Sequence, residues 1–341
     1  MRVIPAEWEK QACVLMSFPH QNTDWYEEDN KASLDEALCV FIRIAQAIAY
    51  RQAVYIVCDD KIHIASLFCS TRNLTFIEIE TNDTWIRDYG MISCRENAKN
   101  TLLDFTFDGW GGKFDARLDT KVNHTLQQKG YMGITPLVPI DFVLEGGAIE
   151  SDGEGTIMTT SSCLCHPNRN GGLSKPQVEA RFLEYLGAER ILWLDHGYLA
   201  GDDTDGHIDT LARFINRDTI VYVKSYDKED EHHASLSQME QALQAFRTKE
   251  GKPYHLIALP MSDAIYNTKQ ERLATTYANF LIINHAVLYP TYNDRHDKEV
   301  GLIFKRLFPD KECIPILCLK LVEQGGSLHC STMQIGYEES L

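Results

Sequence analysis

The chain has 341 residues, 44% hydrophobic and 24% charged, a globular composition that excludes disorder as the default and allows one large domain or two ordinary ones. With 49 acidic residues against 33 Lys and Arg, the formal net charge is -16; nucleic acid and anionic membrane are disfavoured as partners and a small cation is favoured. The N-terminus has no apolar run behind Arg2, no stretch approaches about eighteen uninterrupted apolar residues, and ten scattered cysteines form no disulfide framework, so a cytoplasmic protein with reduced thiols is expected.

Leu34, Leu38, Phe41, Ala45 and Ile48 recur at helical spacing, and the β-branched run over 53–57 reads as a strand. A helix over 61–68, a strand over 74–79 and a helix near 115–128 follow. Ser174-Lys175-Pro176-Gln177 reads as a capping box opening a helix to about 186, with Gly187 after it and a strand over 191–194. Further strands are predicted over 211–215, 219–223, 255–259, 280–283 and 314–317, and helices over 236–246 and 298–307. Strands and helices mix throughout and no Pro/Ser-rich linker interrupts them, so the expectation is a single α/β domain over residues 1–341. No repeat of fixed period is visible, although a structural repeat could be hidden.

Four polar clusters sit beside glycine, tryptophan or apolar strands: Asn82-Asp83-Thr84-Trp85-Ile86-Arg87-Asp88-Tyr89-Gly90, Leu144-Glu145-Gly146-Gly147, Asp202-Asp203-Thr204-Asp205-Gly206-His207-Ile208-Asp209 and Gly325-Gly326-Ser327-Leu328-His329-Cys330. Singly, each has an ordinary reading: Cys330 as a buried thiol, His207 as a core histidine, the aspartates and Glu145 as turn residues. The third cluster lacks the spacing and closing glutamate of a calcium loop. Cys163-Leu164-Cys165-His166 offers soft ligands, but no second pair accompanies it, so no metal and no other cofactor is expected.

In their shared order, the clusters resemble the agmatine deiminase and bacterial-type peptidylarginine deiminase family of the guanidino-group-modifying superfamily. The resemblance spans almost the whole chain and includes Pro5-Ala6-Glu7-Trp8-Glu9 and Gly109-Trp110-Gly111-Gly112-Lys113. It implies a pentein fold, an α/β propeller of five ββαβ-like units around a central active site. It also implies Cys330 as nucleophile, His207 as general acid and base, Asp88 and Asp209 as guanidinium-binding carboxylates, Glu145 in support, and Asp203 as a substrate contact. Gly146 and Gly147 belong to the same binding motif. The sequence departs from the family's pattern in two stretches: Ser327-Leu328-His329 stands before Cys330 where a third glycine and an Asn-Ile pair are more usual, and Thr210 follows Asp209 in place of Asn.

The chemistry explains the residue types. A guanidinium carbon is a poor electrophile because its charge is delocalised, so carboxylates must orient the group while a thiolate attacks it. A strand through His207-Ile208-Asp209 would put imidazole and carboxylate on one face. Trp85 and Trp110 are candidates for an aromatic wall against the cation. Agmatine is the expected substrate, because crowded acidic residues suit its ammonium tail and oppose arginine's carboxylate, unless Arg87 or Arg213 partners that group. Deimination of free or peptidyl arginine, amidino transfer, and silent binding of a guanidinium or polyamine are the rival readings. Homo-oligomerisation stays open.

Overall fold

The computed structural model describes residues 2–26, 32–97 and 99–337. Its strands form five small sheets built to one plan: an antiparallel pair whose second strand continues through a helix into a parallel third strand. Ile92–Glu96 pairs antiparallel with Lys99–Thr106, which runs through the helix Val122–Gln128 to Leu137–Val143. Glu150–Ser151 and Thr156–Thr160 pass through Lys175–Leu186 to Arg190–Leu194. Ala212–Asn216 and Thr219–Lys224 pass through His233–Ala245 to His255–Pro260. Leu281–Ile283 and Ala286–Thr291 pass through Asp297–Leu307 to Glu312–Leu317.

The fifth sheet joins the two ends of the chain. Thr332–Gly336 pairs antiparallel with Gln11–Ser17, which runs through Ala32–Ala49 to the parallel strands Ala53–Cys58 and Leu74–Glu78. The repeat that no sequence period betrays is therefore structural, and the pentein architecture is present.

Local chemistry sets the element ends. Ala37, Phe41, Ile44, Ala45 and Ile48 place a buried stripe along Ala32–Ala49. The Gln177 amide oxygen accepts from the backbone N–H (2.9 Å) and hydroxyl (2.7 Å) of Ser174, and Gly187 ends that helix at φ 68°. No other residue type fits there, since a Cβ on Gly187 would lie 2.0 Å from the Arg2 carbonyl oxygen.

Two expectations change. The helix near 115–128 is α-helical only over Val122–Gln128, after a 3₁₀ turn at Asp119–Lys121. His207-Ile208-Asp209 is no strand but the entry to a 3₁₀ turn, Ile208–Thr210, closed by the Thr210 N–H (3.3 Å) and hydroxyl (2.8 Å), both donating to the His207 carbonyl. The strands Gln11–Ser17, Ile92–Glu96, Lys99–Thr106, Leu137–Val143, Thr156–Thr160, Ala286–Thr291 and Thr332–Gly336 are additional to the predicted set. Among the described residues no helix is long and apolar enough to cross a membrane.

Candidate active site

Connections between the sheets carry the polar clusters, and backbone hydrogen bonds stitch them together. The one-turn helix Ile86–Tyr89 holds Asp88, and the Arg87 N–H donates to the Cys330 carbonyl at 3.2 Å. Asn279 fixes the loop that carries Cys330: its Oδ1 accepts from the N–H groups of His329 (2.8 Å) and Cys330 (3.3 Å) and lies 3.4 Å from the Cys330 thiol.

Asp88 is held from two sides, by the Trp110 indole N–H on Oδ2 and the Gly147 N–H on Oδ1, each at 3.0 Å. Trp110 reaches it from a left-handed backbone conformation (φ 58°, ψ 50°), which a bulky residue adopts only where its surroundings impose it. A carbon added at Gly147 would lie 2.6 Å from His207 Nδ1, 2.8 Å from Asp88 Oδ1 and 3.2 Å from Asp209 Oδ2. Those three side chains thus converge on one point, and the His207 Nδ1 to Asp88 Oδ1 separation is 3.5 Å.

A cleft of about 370 Å³ opens above them, lined among others by Trp85, Asp88, Trp110, Asp203 and Cys330. His207, Asp209, Glu145 and Gly147 lie deeper, fully buried. Gly146 turns away from the cleft; its α-carbon packs on the Arg87 carbonyl, where a Cβ would come within 2.2 Å. Trp85 lines the cleft with its ring against Gly326, where a Cβ would fall 2.5–2.8 Å from three ring atoms. Arg87 and Arg213 do not reach the cleft. Both are buried, Arg87 beside Glu7, His329 and Met333, and Arg213 between Glu7 and Glu150, so neither is placed to meet a substrate carboxylate.

Ionisation follows burial. The Cys330 thiol is pushed well above its usual value by burial and then by the charges of Asp209 and Asp88. Asp88 is also pushed well up, by burial and Asp209. Burial holds His207 down to about 3 despite Asp209 nearby, so its imidazole is neutral in the empty site. For Asp209, burial is outweighed by the hydrogen bond (2.8 Å) and charge of His329, which leave it below the usual carboxylate range. Glu145 is raised by burial even though Arg169 donates to it at 2.7 Å.

Glu145 Oε2, His207 Nε2 and Asp209 Oδ1 are buried without a hydrogen-bond partner among the described residues. Buried orphans of this kind cost free energy unless a ligand or water completes them, and Glu145 and His207 bring a ligand atom each to within 4.8 Å of one another. Sequence reasoning passed over Asn279, His329 as a bridge from Asp209 to Glu7 (2.6 Å), and Arg169. Their partners lie 24 to 322 positions away, and no local spacing announces such contacts.

The model of the Porphyromonas-type peptidyl-arginine deiminase family matches residues 3–336. The chain belongs to this family. A solved structure of a cysteine-to-serine variant of C. jejuni agmatine deiminase with substrate bound is 36% identical, covers 99% of this chain and 97% of its own, and superposes with a TM-score of 0.92. A Porphyromonas gingivalis structure, provisionally identified as an arginine deiminase, is 45% identical with 99% of both chains covered and a TM-score of 0.91. A Legionella pneumophila relative, provisionally identified as an agmatine deiminase, is 32% identical over 97% of this chain and 94% of its own. This deiminase is an enzyme, and its chemistry is cysteine-dependent hydrolysis of a guanidino group.

Proposed function

We propose that the chain hydrolyses agmatine to N-carbamoylputrescine and ammonia. The observation that carries agmatine is the charge of the cleft wall. Asp24, Asp203, Glu271 and Glu323 line it. Among the described lining residues Arg272 is the one cation, and Asp230 and Glu231 already hold it at 2.7 and 3.1 Å. An ammonium tail gains from such a wall, whereas a carboxylate would be desolvated beside like charges.

In this reading Asp88 and the free Oδ1 of Asp209 clamp the guanidinium, and its positive charge offsets the carboxylates that oppose thiolate formation. The Cys330 thiol passes its proton to neutral His207, and the sulfur adds to the guanidinium carbon. His207 then protonates the departing nitrogen, ammonia leaves, and an amidino-thioether remains. Water, deprotonated by His207, adds to that carbon, and the C–S bond breaks to release the carbamoyl product. Glu145 supports His207, Trp85 and Trp110 flank the cation, and Asp203 faces the tail.

Deimination of free or peptidyl arginine is the second reading, favoured by the description of the matching family and by the Porphyromonas gingivalis relative. An ammonia-release assay on agmatine, free arginine and arginyl peptides, with products identified by mass, separates the two. The expected result is agmatine ahead by roughly a hundredfold or more in kcat/KM. Equal or better turnover of arginine or a peptide overturns the agmatine assignment, and no release from any substrate would indicate a binding protein.

A further inference from the structure

Beneath His207 lies a side chain that the reaction does not use. Cys163 is buried in the short helix Ser161–Leu164, and one donor atom each of Glu145, Cys163 and His207 lie within 4.8 Å of one another. Two of these residues carry the partnerless buried atoms Glu145 Oε2 and His207 Nε2. The sequence pattern Cys163-Leu164-Cys165-His166 points to neighbours in the chain as ligands; the fold brings together a different set.

We propose that Glu145, Cys163 and His207 form an inhibitory site for a thiophilic divalent cation of the zinc class. A thiolate, an imidazole and a carboxylate with a fourth position for water make a donor set suited to zinc, and bond lengths of about 2.0–2.3 Å require the three donors to close by roughly 1 Å. Calcium and magnesium, which take oxygen ligands, do not suit it. The charges also balance. The doubly positive ion meets one thiolate and the free Oε2 of one carboxylate, while Arg169 keeps its contacts with Glu145 Oε1 at 2.7 Å and with Asp205 at 2.6 Å, and Lys113 also neutralises Asp205.

On binding, the Cys163 S–H bond breaks, a sulfur–metal bond forms, and the proton leaves to solvent. His207 gives up the lone pair that would accept the Cys330 proton. The ion therefore stops acid–base catalysis without touching the nucleophile. A chelator is therefore expected to relieve the inhibition.

Cobalt(II) and zinc(II) titrations of the purified chain test this. Cobalt reports thiolate ligation through charge-transfer absorption, which is read without turnover; the inhibition measurement alone rests on the deiminase reading. The expected outcome is a cobalt–thiolate band in the wild type and in Cys330→Ser that is lost in Cys163→Ala. Zinc should inhibit the wild type reversibly, with roughly tenfold or greater resistance in Cys163→Ala at unchanged metal-free turnover. Cys163→Ser serves as a second variant should alanine at this buried position prevent folding. A band lost in Cys330→Ser but kept in Cys163→Ala would identify the nucleophile as the ligand and overturn the proposal, as would equal zinc sensitivity or no band at all.

Discussion

Burial beside Asp88 and Asp209 keeps the Cys330 group a thiol in the empty site, so its reactivity should appear with the cation and not before it. On the proposed mechanism, in which carboxylates and not sulfur hold the guanidinium, Cys330→Ala is expected to abolish turnover and still bind agmatine; calorimetry showing lost binding would contradict that division. A second residue carries a stability prediction. Asp119 accepts from the N–H groups of Asn82 (2.8 Å) and Asp83 (3.2 Å), and burial, opposed by those bonds, raises it from 3.8 to about 7. The folded state therefore holds a proton that the unfolded chain releases near pH 4, so stability falls as pH rises from about 4 to about 7 and then levels. Asp119→Asn keeps the accepting oxygen and removes this share. Denaturant unfolding should show the wild type losing on the order of 3 kcal/mol relative to the variant between pH 5 and pH 8. Parallel pH curves would mean that Asp119 is ionised in the fold. The clustering of Asp88 and Cys330 at one cleft was foreshadowed by their glycine- and tryptophan-rich surroundings. Asn279 was not, since its neighbours in the chain give no hint of a contact 51 positions away.

At the level of elements, the turn Gly146–Ala148 does what side chains could not: its backbone reaches Asp88 because Gly147 leaves room for His207 and Asp209. Gly147→Ala would force a carbon to within 2.6 Å of the imidazole. The expected loss is roughly a hundredfold in kcat with the fold retained, since small misplacements at a reacting centre are costly. Circular dichroism and kcat measured together check it, and a normal kcat would mean that the three side chains are not held as a unit. Helices such as Lys175–Leu186 were readable because one polar face and two end signals mark them. Thr156–Thr160 is buried at every position, so it lacks the alternation that reveals a half-exposed strand, and Glu150–Ser151 is too short to carry a pattern. The stretch from His207 to Asp209 misleads in the opposite direction. Its polar–apolar–polar alternation suits a strand, but Thr210 closes it into a turn, and the Thr276 hydroxyl donates to the Thr210 carbonyl at 2.7 Å to hold it there.

Across the whole molecule the five sheets share a plan but not a length: the helix before the parallel strand runs 18 residues in one unit and 7 in another, which hides any fixed sequence period. The units are also joined by charge. Arg213 is fully buried in one unit; it donates to Glu7 near the N-terminus (2.9 Å), to Glu150 of the preceding sheet and to the carbonyl of Phe280 (2.6 Å), the residue before the first strand of the following one, and it lies 3.0 Å from Nε2 of His329, the neighbour of Cys330. Removing one partner of a buried ion network leaves the others uncompensated, so Arg213→Met should cost about 3–5 kcal/mol. Arg213→Lys should recover little, because a single ammonium cannot serve two carboxylates and a carbonyl in the guanidinium's fixed geometry. The pH dependence follows from the carboxylates. Glu150 is already raised to about 7 by burial, even with Arg213 lowering it, and loss of Arg213 raises it further. Below about pH 7 Glu150 keeps its proton in the wild type too, so the variant's deficit should grow only as pH rises above about 7, where the wild-type carboxyl ionises beside Arg213 and the variant's cannot. Glu150→Gln in the Arg213→Met background removes one uncompensated charge and should restore part of the stability and flatten that rise. A deficit independent of pH, or no recovery in the double variant, would show that Arg213 acts through packing and not as the shared counter-ion of the ring.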